Sequence, residues 1–281
     1  MRRRFIIGLA VAVALLSGCA GMGSKELVIL HTNDTHSQIE TIRTGRGKGL
    51  GGVDRRAEYI DQVRKDHRNV LLLDAGDWDQ GTPYFTVFKG DMEIELMNAM
   101  GYDVACLGNH EFDNGQQELA RRLAMAEFDV VCANYDFSAS PAGLDKYVKP
   151  YVIINKGGLK IGVFGLLVNI KSVVSAKSRD ALVYKDPIEV SNELAKMLKE
   201  EQKCDLVIAL SHLGYSAYNP KAASDINLAQ NTRNIDIIVG GHSHTFLKEE
   251  KIFQNLDGKD VVVLQAGAQG EYVGRLDLKF E

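Results

Sequence analysis

The chain has 281 residues, of which 45% are hydrophobic and 25% are charged. This balance is typical of a globular protein with a substantial core. The net charge is −4 at pH 7, and beyond Arg4 the chain contains no basic run. These two features argue against a nucleic-acid-binding surface.

Residues 1–18 are predicted to be a signal peptide of the lipoprotein type. Arg2, Arg3 and Arg4 precede an apolar stretch at residues 5–16, and small residues lead to Cys19. An ordinary secretory leader or a membrane anchor is the alternative, but the apolar stretch is short for a spanning helix. We therefore expect cleavage before Cys19, lipid attachment at that residue, and a flexible tether at residues 19–25. The protein would be exported and anchored to a membrane, facing the periplasm or the cell exterior.

The next part of the chain alternates strand and helix patterns. Short apolar runs at residues 27–30, 70–73, 104–107 and 129–133 are predicted to be buried strands. Helical spacing of apolar residues appears between them, at residues 53–67, 91–100 and 116–127. A glycine-rich loop at residues 45–52 lacks the spacing and the terminal Lys-Ser/Thr of a P-loop and is predicted to be a mobile rim loop. This alternation predicts a largely parallel or mixed sheet.

The second half of the chain follows a different pattern. Residues 147–155 and 160–167 flank the turn Lys156-Gly157-Gly158, which predicts a hairpin and hence a second sheet. A long helix is expected at residues 186–203, with Asp186-Pro187 at its start. Residues 206–210, 235–239, 261–264 and 274–280 are predicted strands, and residues 221–232 a helix. We predict one two-sheet α/β domain over residues 26–281.

Three cysteines would remain after cleavage and lipidation at Cys19, namely Cys106, Cys132 and Cys204. An odd number excludes a fully paired disulfide framework, and two of the three lie in apolar strand runs. Buried free thiols are therefore expected.

Polar side chains follow five of the predicted strands, at the point where each strand ends. The strongest cluster is the stretch Gly108-Asn109-His110-Glu111-Phe112-Asp113 after the strand at 104–107. The other four strand ends contribute the following residues: Asp34 and His36; Asp74 and Asp77; His212; and His242 and His244. Any one of these residues alone is a weak signal, but together they predict a single site.

The chemistry of these side chains is that of a transition-metal site. Asp34 and His36 are two residues apart, so in an extended segment both face the same way and can reach one ion. A set rich in nitrogen and oxygen ligands suits zinc, manganese, iron or cobalt, whereas calcium prefers oxygen ligands alone. The pattern does not decide which metal is bound.

The ordered motifs resemble the calcineurin-like metallophosphoesterase superfamily. They are Asp34-x-His36, Gly76-Asp77, Gly108-Asn109-His110-Glu111, His212 and Gly240-Gly241-His242-x-His244. The stretches at residues 31–36 and 108–114 resemble more narrowly the N-terminal catalytic domain of bacterial 5'-nucleotidases. The resemblance implies a four-layer α/β/β/α sandwich of two mixed sheets, with a dinuclear metal site at the strand ends.

The resemblance also implies roles for individual residues. Asp34, His36 and His244 would bind one divalent ion, Asn109, His212 and His242 would bind the other, and Asp77 would bridge them. A metal-bridging hydroxide would then attack the phosphorus atom of a phosphate ester, such as a 5'-nucleotide. His110 would stabilise the transition state or protonate the leaving oxygen, with Asp113 orienting it.

Two further acidic residues and an aromatic group are open to more than one interpretation. Asp74 and Glu111 would either hold the ligand imidazoles and turn amides in place or be solvated or helix-capping residues. The aromatic residues near Asp77 favour core packing or a protein-binding patch over a substrate-binding surface. They are Trp78, Tyr84, Phe85 and Phe88.

The sequence departs from the full-length 5'-nucleotidases in one respect. Those enzymes carry a C-terminal domain that supplies the nucleoside pocket, and no part of this sequence can be assigned to such a domain. Three interpretations follow: a self-sufficient exported phosphohydrolase, the catalytic half of a split nucleotidase with a separate specificity protein, or a metal-binding lipoprotein without turnover. The complete ligand set argues against the third.

Overall fold

The strands of this chain carry apolar side chains on both faces, which is typical of strands that are covered on each side. In β1 (Lys25–Thr32) the side chains of Leu27 and Ile29 pack into one core, whereas Val28 and Leu30 pack into another. The alternation follows from the two-residue period of a strand. The computed structural model describes residues 25–217 and 222–280, so the leader, Cys19 and the tether up to Ser24 lie outside the described residues.

The first half of the chain builds most of one six-stranded sheet. Its strands are β1, β2 (Val70–Asp74), β3 (Val104–Cys106), β4 (Asp129–Val131), β6 (Val148–Lys149) and β14 (Gly274–Phe280). Their spatial order is β14-β1-β2-β3-β4-β6, in which only β14 runs antiparallel to its neighbour. The strands of a parallel sheet all end at one edge, so the predicted site residues meet there.

The second half of the chain forms the other six-stranded sheet. It contains β7 (Tyr151–Lys156), β8 (Leu159–Leu167), β10 (Leu206–His212), β11 (Ile237–Gly240), β12 (Lys251–Gln254) and β13 (Asp260–Leu264). The order is β12-β13-β11-β10-β8-β7, with parallel central strands and an antiparallel strand at each edge. Two short strands, β5 (Tyr135–Asp136) and β9 (Val183–Tyr184), form a separate ribbon.

Helices cover the outer face of each sheet. α1 (Val53–Asp66), α3 (Asp91–Met100) and α4 (Gln116–Leu123) pack their apolar residues on the first sheet. α5 (Pro187–Lys196) and α6 (Asp225–Asn231) cover the second sheet. A third core lies between the sheets and contains side chains from both. The predicted four-layer α/β/β/α sandwich of two mixed sheets is therefore confirmed.

Several boundaries differ from the predictions. The first arm of the predicted hairpin is two strands, because the chain changes sheets at Pro150: β6 pairs with β4, and only β7 pairs with β8. The predicted helix at 186–203 begins at the expected cap, where Asp186 accepts hydrogen bonds from the N–H groups of Ile188 and Glu189, but it ends as a π-helical turn over Met197–Glu201. The helix predicted at 221–232 begins at Asp225, where Ser224 caps it.

Three strands and one α-helix were missed. The sequence prediction did not include β5, β9, β12 or α2 (Pro83–Phe88). α2 has six residues and none of them is buried, so it lacks the apolar period by which helices are recognised. Among the described residues, no helix combines the length and the apolar character that crossing a membrane requires. Cys106, Cys132 and Cys204 are free and buried, as predicted.

Candidate metal centre

The predicted site residues meet where strands of both sheets end. Backbone hydrogen bonds join the loops: the N–H of Asp34 donates to the carbonyl oxygen of Gly76 (2.8 Å). The N–H of His242, from the second sheet, donates to both carboxylate oxygens of Asp34, each at 3.0 Å. The two sheets are thus joined at the site itself.

Asp34, His36 and His244 form one group of candidate metal ligands. Their ligand atoms all lie within 4.8 Å of one another. His36 Nδ1 is 3.1 Å from the carbonyl oxygen of Asp79, and because a carbonyl only accepts, Nδ1 carries the proton and Nε2 keeps its lone pair. That Nε2 lies 3.0 Å from Nε2 of His244. Burial lowers the pKa of His36, which favours the neutral ring that metal binding requires.

Asp77, His212 and His242 form the second group, with ligand atoms again within 4.8 Å of one another. His212 is fully buried, and its Nδ1 donates to the carbonyl oxygen of Ala75 at 2.7 Å. Its Nε2 lies 3.0 Å from Asp77 Oδ2. The Oδ1 atom of Asn109 is buried and has no hydrogen-bond partner among the described residues.

These contacts fit a cation better than they fit a purely structural role. Burial opposes charge on the ring, yet Asp77 raises the pKa of His212 to about 10. Burial likewise raises the pKa of Asp77, but the neighbouring charges, first that of His212, outweigh it and hold that pKa below its usual range. His212 Nε2 and Asn109 Oδ1 are both buried without a hydrogen-bond partner among the described residues, and two such orphaned atoms have the chemistry of metal ligands.

The backbone at the candidate ligands is unusual. Positive φ angles are uncommon for residues other than glycine, yet they occur at five of the seven candidate ligands. These are Asp34 (49°), His36 (48°), Asp77 (57°), His242 (70°) and His244 (53°). Such conformations are concentrated at functional sites, where the surroundings hold the backbone in place.

Gly76 shows why the loops can approach so closely. A Cβ atom on this residue would lie 2.6 Å from the backbone nitrogen of Gly108 and 2.8 Å from Nδ1 of His212. Its φ of +87° also favours glycine. A side chain here would push the second-sheet histidine away from Asp77.

His110 and Asp113 lie beside the two groups. His110 Nδ1 is 2.8 Å from Asp113 Oδ2, and about a third of each side chain is exposed. The hydrogen bond from Asp113 raises the pKa of His110. The His110 ring packs edge-on against His36, with ring centroids 5.4 Å apart. A histidine oriented by a carboxylate and open to the cavity can donate a proton to a bound molecule.

Asp74 and Glu111 both bind backbone groups. Asp74 accepts from the hydroxyl of Thr32 (2.5 Å) and from the N–H of Gly76 (2.9 Å), and burial raises its pKa to about 7. Glu111 is fully buried and accepts from three backbone N–H groups of the loops that carry Asp77 and Asn109. Neither carboxylate bonds a ligand imidazole, so their contacts agree with the turn-amide alternative.

A buried ion pair supports the same loops and was missed in the sequence. Arg122 on α4 pairs with Asp79, and both side chains are fully buried. Arg122 also donates to the carbonyl oxygen of Glu111 at 2.9 Å, and Asp79 supplies the carbonyl that orients His36. In the sequence, the only sign that Asp79 belongs to the site is its position two residues after Asp77.

The metal centre opens on a cavity of about 530 Å³. Six of its lining residues are the site residues described above, namely His36, Asp77, Asn109, His110, His242 and His244. The one large apolar residue of the lining is Val173. None of the described lining residues is aromatic apart from the histidines. Trp78 is buried in the core, where it packs edge-on against Phe128, whereas Tyr84 and Phe88 stack on each other at the surface.

This fold and this site define a class: a dinuclear metallohydrolase built on a four-layer sandwich, with its ligands at the strand ends. Comparison with known proteins agrees with this class. Residues 27–246 match the family model described as calcineurin-like phosphoesterase. The chain belongs to that family of metal-dependent phosphoesterases.

Within this family, the chain is similar to several nucleotidases. A snake venom 5'-nucleotidase from Crotalus adamanteus is 38% identical over 279 residues, covering 92% of this chain and 46% of the relative. The structure of the 5'-nucleotidase precursor from Thermus thermophilus has a TM-score of 0.81 at 34% identity, covering 91% of this chain and 52% of that one. The NAD nucleotidase of Haemophilus influenzae has a TM-score of 0.81 at 32% identity, covering 92% and 48%. This chain thus spans about half the length of the curated relatives it matches.

Proposed function

We propose that this chain hydrolyses phosphate monoesters, with 5'-nucleotides as the substrate class. The observation that carries the proposal is one cavity that is shared by two adjacent groups of metal ligands and by the His110–Asp113 pair. Nucleotides are proposed as the substrate class because the similar proteins reported above are named as nucleotidases acting on 5'-nucleotides or NAD.

The ligand assignment follows the two groups. Asp34, His36 and His244 would hold one divalent ion, and His212, His242 and Asn109 the other, with Asp77 shared between them. The nitrogen and oxygen donors suit zinc, manganese, iron or cobalt. When bound, such a pair of ions supplies an acidic water and neutralises the phosphate oxygens.

His110 has the geometry of the proton donor. Its Nδ1 is held by Asp113, so its other nitrogen is the one available to the cavity. A proton on that nitrogen would pass to the ester oxygen as the bond to phosphorus breaks, which leaves the product alcohol neutral. Asp113 keeps the ring in this orientation and stabilises its charged form.

A second candidate is that this chain is the catalytic part of an enzyme whose base-recognition surface lies elsewhere. One observation favours it: the described lining of the cavity offers no Phe, Tyr or Trp ring on which a nucleobase could stack. The specificity part would be a separate polypeptide in the split-nucleotidase interpretation.

Export and lipid anchoring remain proposals that the sequence around Cys19 supports. Incorporation of labelled fatty acid into the wild-type protein but not into Cys19→Ser, with release of the variant from the membrane fraction, would support them. Equal labelling of both proteins would contradict lipid attachment at this residue.

The proposed activity is tested by assaying the purified chain with added manganese or zinc. The substrates are p-nitrophenyl phosphate, bis-p-nitrophenyl phosphate and AMP, and elemental analysis accompanies them. We expect about two ions per chain and turnover of the simple monoester, p-nitrophenyl phosphate. Saturable AMP hydrolysis by the chain alone would contradict the need for a separate specificity part, whereas monoester turnover with poor AMP hydrolysis would support it. Full metal occupancy without any turnover would refute the hydrolase.

A further inference from the structure

A second cavity lies on the far side of the loop that borders the metal centre. Gln269 lines the metal cavity, and the next residues, 270–273, line a separate cavity of about 280 Å³. Its other wall is the end of the glycine-rich loop and the first turns of α1, including Arg55, Arg56 and Tyr59. Its volume lies just below the usual range for ligand pockets, roughly 300–1,000 Å³, which favours a small ligand.

Arg56 is the unusual residue of this cavity. It is only 8% exposed, and its Nε is buried without a hydrogen-bond partner. Within residues 25–217 and 222–280, none of its guanidinium N–H groups makes a hydrogen bond or an ion pair. The charge of Arg56 acts on Asp74 and Tyr102, but neither forms a hydrogen bond with it. A buried charge without a bonded partner is costly in free energy. An anion that bonds this guanidinium would therefore bind with a large gain in free energy.

Two other arginines of this protein have guanidinium groups that are bonded to protein atoms, unlike Arg56. Arg64, on the same helix as Arg56, donates to the carbonyl oxygens of Met100 (2.5 Å) and Gly101 (2.6 Å). Arg122 is fully buried but pairs with Asp79. Both are anchored by the protein, whereas the donors of Arg56 border a cavity.

The remaining walls of the cavity also favour an anion. α1 has 14 residues, and its N-cap, Gly52, provides no side-chain hydrogen bond. The N–H of Val53 donates to the carbonyl oxygen of Ile39 (2.8 Å), so the N–H groups of Asp54 and Arg55 and the positive end of the helix dipole are what the helix start offers to another partner. Arg55 adds a second guanidinium, although it donates to the carbonyl oxygen of Gly49 at 2.7 Å. The opposing charges are Glu271, whose carboxylate is packed against Gly47, and Asp54, which is exposed in the first turn of α1.

We propose that this cavity is a binding site for a phosphate-class oxyanion, separate from the metal centre. A guanidinium binds two oxygens of such an ion in parallel, and the amides at the start of α1 can bind a third. Free inorganic phosphate and the phosphoryl group of a larger molecule share this chemistry. The proposal does not depend on the activity of the metal centre.

The test is isothermal titration of the metal-loaded protein with inorganic phosphate. We expect two classes of site in the wild type, one at the metal centre and one at Arg56. Arg56→Met should weaken the second class by about tenfold or more, the range of a lost charged hydrogen bond, and should leave the first unchanged. Glu271→Gln should strengthen the second class because it removes the competing carboxylate. A single class in the wild type, or two unchanged classes in Arg56→Met, would overturn the proposal.

Thermal unfolding in phosphate-free buffer separates a ligand-binding role from a structural one. Arg56→Met should raise the midpoint, because it removes an unpaired buried charge, whereas the matched control Arg64→Met should lower it by breaking two hydrogen bonds. A midpoint lowered in both variants would show that Arg56 is a structural residue and would contradict the site. Should Arg56→Met fail to fold, two other variants replace it in the phosphate titration. Arg55→Gln should weaken the second class of site, and Glu271→Gln should strengthen it.

A parallel titration identifies the source of the oxyanion. A non-hydrolysable phosphonate analogue of AMP replaces inorganic phosphate in the same experiment. Binding of free phosphate alone at the Arg56 class would indicate a site for the free ion. Binding of both would indicate a site for a phosphoryl group on a larger ligand, and binding of neither would refute the proposal.

Discussion

Replacing Glu111 with glutamine tests whether this carboxylate supports the metal-binding loops. Its Oε2 accepts from the N–H groups of Asp77 (3.1 Å) and Gly108 (2.5 Å), and its Oε1 accepts from the N–H of Asp79 (3.2 Å). Glutamine has one carbonyl oxygen, so at least one of these buried N–H groups would face an amide NH₂ instead. Leaving one buried donor unsatisfied costs about 1–3 kcal/mol, and we expect that loss in the free energy of unfolding.

The assay is urea unfolding of Glu111→Gln and wild type with a chelator present, so that metal binding does not add to the measured stability. The matched control is Glu118→Gln, because Glu118 is an exposed partner of Arg121 at 3.0 Å. An exposed pair of this kind contributes about 0.2–1 kcal/mol. Metal titration of both variants should then show weaker binding only in Glu111→Gln, since the loop that carries Asp77 would be displaced.

An equal and small loss in the two variants would refute this reasoning. It would mean that Glu111 is held as the neutral acid, which burial favours by raising its pKa, and that glutamine reproduces its contacts. The loop carrying Asp77 would then owe its position to other groups, above all to the pair between Arg122 and Asp79.

Three further predictions address the site and its surroundings. His110→Ala should lower kcat by about 10²–10⁴-fold, the range of a lost acid catalyst, with unchanged metal content by elemental analysis; lost metal would instead make His110 a ligand. Asp77→Asn should lower metal content and turnover together, and full occupancy in this variant would remove Asp77 from the ligand set. Burial lowers the pKa of His31 to about 4, so between pH 7 and 5 the unfolded chain takes up a proton that the folded chain does not. Wild type should therefore lose roughly 2 kcal/mol more stability than His31→Leu over this interval, with the full penalty reached below pH 4, and parallel pH profiles by urea unfolding would contradict this.

The sequence predicted the fold from the period of its apolar residues. Runs such as 70–73 and 206–210 are apolar at every position, which marks strands buried on both faces, and polar residues follow them at the strand ends. Since parallel strands end at one edge, residues as distant as Asp34 and Asn109 could be assigned to one site, and the family resemblance added His244. Residues 147–155 were predicted as a single strand of the hairpin, but Pro150 separates two strands that belong to different sheets. A local sequence pattern cannot show that the chain passes from one sheet to the other.

Contacts between loops were beyond the reach of the sequence. Arg122 follows Arg121 on a charged helix and resembles a solvated residue, yet it is fully buried and pairs with Asp79. Arg121, its neighbour, is exposed and pairs with Asp91 and Glu118. Successive helical residues point in different directions, so which of the two enters the protein depends on what packs against the helix.

The backbone of the site was equally hidden, and it bears on what metal binding does for this protein. Left-handed conformations cost roughly 1–2 kcal/mol per residue, and five candidate ligands adopt them. Within the same site, His36 Nε2 lies 3.0 Å from His244 Nε2, and His212 Nε2 lies 3.0 Å from Asp77 Oδ2. A structure selected for stability alone would avoid both arrangements. Since cations would bind the folded state and relieve this crowding of acceptors, metal binding should stabilise the fold as well as supply the chemistry.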